Sequence, residues 1–172
     1  MPYLLDTQVV SFFLQARREA DLAAAAAVMP CAIADEVRGE LAEDPTRGRL
    51  FEQWLPSSHV EVITIPIGGP ADALLTQLQT GLVTKRGRGE RASIALAATN
   101  PGLVFAGMDR GGMWIALREL WFPGERLIAL PVFLRRLVDA KALTGEAADD
   151  VMRRSTQILP TWWADWRARE TK

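Results

Sequence analysis

Cysteine and histidine are almost absent from this 172-residue chain: Cys31 and His59 are the only ones. A single cysteine excludes an internal disulfide, and with one histidine it excludes a Cys/His zinc site. The same scarcity removes the usual Cys-His and Ser-His-Asp nucleophile systems and a paired-histidine acid and base. Charge of one sign is also missing. Twenty Lys and Arg stand against 21 Asp and Glu, a net charge of −1, so no global basic field draws in nucleic acid and any recognition of a polyanion has to be local. Long apolar runs are lacking too, because Arg17, Arg18, Glu19 and Asp21 break up the N-terminal hydrophobic stretch. With no membrane span and no leader-like N-terminus, the expectation is a cytoplasmic protein in a reducing compartment. What remains for chemistry is carboxylates, hydroxyls and basic side chains.

About half of the chain is hydrophobic, enough to bury a core in one ordinary domain. Periodicity predicts a strand at Tyr3–Leu5 running into a helix over Val9–Leu14, then a helix capped by Asp21 through the alanine run to Val28. Cys31–Ala34 reads as an apolar link into the helix of ADEVRGELAE, and a further helix covers Arg47–Leu55. VEVITIPIGG reads as a β-branched strand stopped by glycines, and Pro70 suits the first turn of a helix to Thr80. After the basic loop TKRGRG, GERASIALAAT is helical to Asn100-Pro101-Gly102. LVFAG returns as a strand, with a helix over Gly112–Leu120, a last strand at RLIAL, and amphipathic helices in PVFLRRLVDAKAL and GEAADDVMRRSTQIL. Such strand-helix alternation predicts an α/β fold: a three-layer α/β/α arrangement with a central parallel sheet. Residues 1–143 would form this domain, and 144–172 a helical C-terminal extension packed on it.

In parallel sheets, sites gather beyond the carboxyl ends of the strands. Asp6 and Asp109 each follow an apolar strand directly, and Glu36 and Glu90 open helices whose first turns can face the same edge. These four acids are expected to converge. Taken alone, Asp6-Thr7 could be a helix N-cap, the two glutamates could merely complement helix dipoles, and Asp109 could open a turn. Asp35 and Glu40 are expected to be solvated helix charges. Lys85, Arg86 and Arg88, between glycines next to Glu90, are the best candidates for holding phosphates, with Arg110 in support; a solvated loop is the plain alternative. Trp162, Trp163 and Trp166 share a helical face. Packing is the favoured reading for them and base stacking the functional one.

LLDT, ADEVRGEL, GERASIALA and FAGMDR, in this order, resemble the PIN-domain family of metal-dependent nucleases, over the chain to about Leu143. The GERASIALA and PVFLRRLVDAKAL segments are similar to the group holding VapC-type toxins and uncharacterised prokaryotic members. The resemblance implies a metal site and catalytic set of Asp6, Glu36, Glu90 and Asp109, with Thr7 as the hydroxyl after the first acid. Glu90 stands where the family often has Asp, and Gly107 where a Thr or Ser commonly precedes the fourth acid. Clustered carboxylates repel one another until a cation neutralises them, and an all-oxygen set suits Mg²⁺ or Mn²⁺. The implied reaction is hydrolysis of RNA by an endoribonuclease, with a small antitoxin and a second copy of the chain as partners. The rival is a catalytically silent PIN-like scaffold working through protein or nucleic-acid binding. Haloacid-dehalogenase-like phosphatases also begin with an Asp after a strand, but their second Asp falls at Gln8 here. A receiver domain needs a late Lys at a strand end, where Pro131 stands instead.

Overall fold

The computed structural model describes residues 1–80, 87–108, 126–155 and 159–170. Five strands, β1 (Tyr3–Leu5), β2 (Cys31–Ala34), β3 (Glu61–Ile63), β4 (Val104–Gly107) and β5 (Leu127–Ala129), form one sheet in the order β3-β2-β1-β4-β5. Every pairing is parallel, with Leu4 opposite both Ala32 and Phe105. β1, β2 and β4 are buried along their whole length. That is why they read as unbroken apolar runs rather than as alternation: both faces of a parallel sheet are covered.

Between the strands lie α1 (Thr7–Gln15), α2 (Glu19–Val28), α3 (Asp35–Ala42), α4 (Gly48–Trp54), α5 (Pro70–Thr80) and α6 (Arg88–Thr99); α7 (Leu130–Asp139), α8 (Gly145–Ser155) and α9 (Thr161–Glu170) follow β5. The chain winds outward from β1 to β2 and β3, then returns across the sheet to β4 on the other side of β1 and continues to β5. Right-handed crossovers on either side of this reversal lie on opposite faces, which is compatible with a three-layer α/β/α fold. The reversal falls between β1 and β4, and it is at the carboxyl ends of the strands at such a point that parallel sheets keep their sites. α6 packs across β1, β2 and β4, while α7 packs across β4 and β5.

Three local expectations are corrected. Cys31–Ala34 is no link but β2, fully buried between β1 and β3; its CAIA sequence has little β-propensity, and its place between two strands decides its conformation. α2 begins at Glu19, with Arg18 at the N-cap and no side-chain cap. Asp21 sits inside the first turn, where it accepts from Arg18 at 3.4 Å instead of capping. β3 also stops at Ile63, well short of the glycines, as Pro66 has no N–H to offer a ladder. The helix expected over Gly112–Leu120 lies outside the described residues.

The C-terminal helices share the core of the rest. Ala147, Ala148, Val151, Met152, Trp163 and Trp166 join the same buried cluster as Leu4, Phe13 and Phe133. α8 packs on α1 and α7, and Arg18 at the N-cap of α2 meets Asp150 of α8 at 2.5 Å. Trp163 and Trp166 are buried, as the packing reading expects, and their indole N–H groups donate to Asp149 at 2.9 Å and Asp139 at 3.1 Å. Among the described residues no helix is long and apolar enough to cross a membrane.

Candidate functional site

Asp6 leaves β1 at the reversal point and turns the chain into α1. Its backbone N–H donates to Ala106 O of β4 at 3.1 Å. With φ −79° and ψ 164° it is the N-cap residue of α1, and its carboxylate accepts the Gln8 N–H. The cap is therefore real. The carboxylate is nonetheless almost wholly withdrawn from solvent, with Asp6 only 2% exposed. Burial is the main cause that pushes the Asp6 carboxyl up to about 6, against the pull of the Gln8, Val9 and Met108 amides; the charge of Glu40 raises it further. An acid this deep at a strand end is costly to ionise without a nearby cation.

Glu40 corrects the expectation of a solvated charge. It is half-buried, and its two carboxylate oxygens accept from different elements. The Thr7 hydroxyl donates to Oε2 at 2.6 Å and the Gly89 N–H donates to Oε1 at 3.0 Å. Glu40 thus ties the start of α1 and the N-terminus of α6 to α3. Gly89 is required by this approach: a Cβ there would stand 2.6 Å from Thr7 Oγ1, 2.7 Å from Glu40 Oε2 and 2.9 Å from Val37 Cγ2. Sequence reading missed Glu40 because Glu36, one turn earlier, took the part of the acid on α3. The glycine inside the α6 segment GERASIALA was the available signal, since a glycine in a helical pattern marks a close backbone approach.

The other expected residues fall into distinct environments. Glu36 opens α3 half-buried, and its Oε2 is buried with no hydrogen-bond partner among the described residues. Glu90 sits in the first turn of α6, its Oε2 3.5 Å from where a Cβ on Gly87 would be, so the carboxylate folds back over its own helix start. Thr7, the hydroxyl residue after the first acid, spends that hydroxyl on Glu40. Asp35 pairs with Arg38 at 2.8 Å on the surface, as a solvated charge should. Arg88 is exposed at the first position of α6. Asp109, Arg110, Lys85 and Arg86 lie outside the described residues. Among the described residues no three His, Cys, Asp or Glu side chains are grouped so as to hold a metal ion; what the structure brings together is Asp6 with Glu40, through Thr7.

Gly107 has a local explanation. A Cβ on it would meet the Phe105 ring at 3.0 and 3.1 Å and Asp6 Oδ2 at 3.4 Å, so the end of β4 leaves little room for a hydroxyl-bearing side chain against Asp6.

No family model, no curated protein and no solved structure matches the chain significantly.

Proposed function

We propose that this chain is a metal-dependent endoribonuclease of the PIN type. The observation that carries this reading is Asp6: a carboxylate 2% exposed, at the carboxyl end of a central strand and at the winding reversal, with its protonated form favoured up to about pH 6. A group placed so expensively at the position where such sheets keep their sites is best explained by a cation it serves. The donor chemistry fits a hard divalent ion: every candidate is a carboxylate, and Glu36 Oε2 is buried without a partner. Asp6, Glu36 and Glu90, which do not by themselves form a metal-holding group, would hold Mg²⁺ or Mn²⁺ together with Asp109; the oxygens of Glu40 are taken by Thr7 and Gly89. When bound, such an ion supplies positive charge opposite the scissile phosphate and acidifies a water for attack.

The chain's own residues then have separate tasks. Asp6 is held in one orientation by the α1 amides and by Ala106 O, so a charge at the strand end needs no reorganisation. Glu40, by accepting from Thr7 and Gly89, sets the start of α6 and hence the first turn that carries Glu90. On this reading Lys85, Arg86, Arg88 and Arg110 would be the cations that hold phosphate oxygens. An antitoxin and a second copy of the chain are the partners this reading carries.

The rival reading is a silent scaffold, and one observation favours it: Glu40 uses both its oxygens on protein donors. Incubating the protein with structured and unstructured RNA in Mg²⁺, Mn²⁺ or EDTA separates the two. The nuclease reading expects cleavage that requires metal and disappears in Asp6→Asn and Asp109→Asn. Absence of cleavage under all metal conditions, or wild-type cleavage by Asp6→Asn, overturns it.

A further inference from the structure

The three clustered tryptophans do not share one environment. Trp163 and Trp166 are buried at 3% and 5% exposure, whereas Trp162 is only half-buried. Its ring is set by its neighbours, tilted 46° against Trp163 at 5.7 Å and edge-on to Trp166 at 6.2 Å. The Arg135 guanidinium lies 5.6 Å from its centroid. Between α7 and α9, a cavity of about 390 Å³ is lined by Val132, Arg135, Arg136, Asp139 and Trp162. The one anion there is already engaged: Asp139 takes the Trp166 indole N–H at 3.1 Å and the Arg135 guanidinium at 3.4 Å. An aromatic ring with the Arg135 guanidinium over it, and Arg136 lining the same cavity, complements a ligand that joins a flat π-face to anions.

From this geometry we propose that the α7–α9 cavity is a subsite for single-stranded RNA, with Trp162 stacking one base and Arg135 and Arg136 holding the adjoining phosphates. Single-strand binders combine these two elements, and stacking tolerates any base. The position suits a substrate leaving the Asp6 edge of the sheet, and in that respect the proposal rests on the nuclease reading. β5 lies two strands from β1, roughly 10 Å across the sheet at the usual strand spacing. α7 starts directly after β5 at the same edge, and a helical rise of 1.5 Å per residue carries Arg135 and Arg136 about 8–9 Å further. Trp162, in the first turn of α9, forms the other wall of the cavity, so the track runs along α7. Arg135 stacks on Trp162 in the free protein and moves aside, or sandwiches the base, when RNA enters.

The test is binding of a short oligouridylate in EDTA, where metal-dependent cleavage is off, followed by fluorescence anisotropy and tryptophan quenching at several salt concentrations. Wild type is expected to bind with quenching. Trp162→Ala should weaken binding about tenfold or more and lose part of the quenching, while Trp162→Phe keeps most of the affinity. Arg136→Glu, a change of one half-buried surface cation, should weaken binding and flatten the plot of log affinity against log salt. Unchanged affinity in either Trp162→Ala or Arg136→Glu, with wild-type circular dichroism, overturns the subsite. Equal affinity for polyglutamate and oligouridylate also overturns it, because the cavity then reads anions of a peptide. The two proposals fail separately: a wild-type protein that cleaves RNA but is indifferent to Trp162→Ala sinks the subsite alone, and Trp162-dependent binding without any cleavage sinks the nuclease reading alone.

Discussion

The Thr7 hydroxyl donates to Glu40 Oε2 at 2.6 Å, across 33 positions of sequence, and this bond places a second carboxylate near Asp6 although Asp6 is already hard to ionise. Glu40 acts on Asp6 through space, since its charge is among the causes that raise the Asp6 carboxyl. The effects of the pair can be measured without any assay of activity.

Asp6→Asn should stabilise the protein at neutral pH. The folded-state value of about 6 lies above the ordinary 3.8 because burial disfavours the anion. The folded state therefore binds the proton more tightly, so wild-type stability is highest below about pH 4 and falls as pH rises towards 6. A shift of about two pH units corresponds to about 3 kcal/mol. Asparagine keeps the cap and carries no charge. Urea unfolding across pH 4–7 should show the variant gaining on wild type as pH rises and levelling off above about 6. A constant difference across that range would mean that the Asp6 carboxyl is not raised.

Glu40→Gln should lower the Asp6 titration point, because it removes the like charge while its amide oxygen can still accept the Gly89 N–H and its NH₂ can donate to the Thr7 hydroxyl oxygen. Carboxyl-carbon NMR titration of Asp6 in both proteins reads this directly. A titration point that stays put or rises would contradict the coupling.

Gly89→Ala and Gly39→Ala should have opposite signs. Alanine in place of glycine favours a helix by up to about 1 kcal/mol, and at Gly39 nothing lies within 4 Å of the new Cβ, so α3 should be stabilised. At Gly89 the Cβ would press on Thr7, Glu40 and Val37, all closer than 3.0 Å. Overpacking of this kind costs about 1–3 kcal/mol, which outweighs the gain in propensity. Chemical denaturation of the two variants decides it, and two stabilised proteins would refute the close approach of α6 to α3.

Gly107→Ser should destabilise by about 1–2 kcal/mol, an overpacking cost at a buried strand end, because its Cβ would meet the Phe105 ring at 3.0 Å. A neutral or stabilising effect in thermal unfolding would show that Phe105 yields easily and that the glycine answers to something else.

The apolar stretches of β1, β4 and β5 could be read directly from the sequence, since a strand buried on both faces needs only hydrophobic residues and a stop, and a Pro, an acid or a helix start supplies it. The position of Asp6 followed from the same logic. β2 could not be read this way: in CAIA only Ile33 is β-branched and two of the four residues are alanine, so its pairing with β1 and β3 makes it a strand. Glu36 and Glu40 lie one turn apart on α3, and nothing local tells which acid meets the interior. That choice was made 49 residues away from Glu40, where the Gly89 amide arrives on α6 and gives Glu40 a donor. Sequence by itself determined the alternation of elements, the parallel sheet and a carboxylate at its central edge, because those depend on local hydrophobicity and on where apolar runs end. Tertiary structure alone decided the strand order that puts β4 beside β1 and the pairing of Thr7, Glu40 and Gly89. Hydrogen bonds between distant segments exist only once the chain's winding has brought their donors and acceptors within about 3 Å.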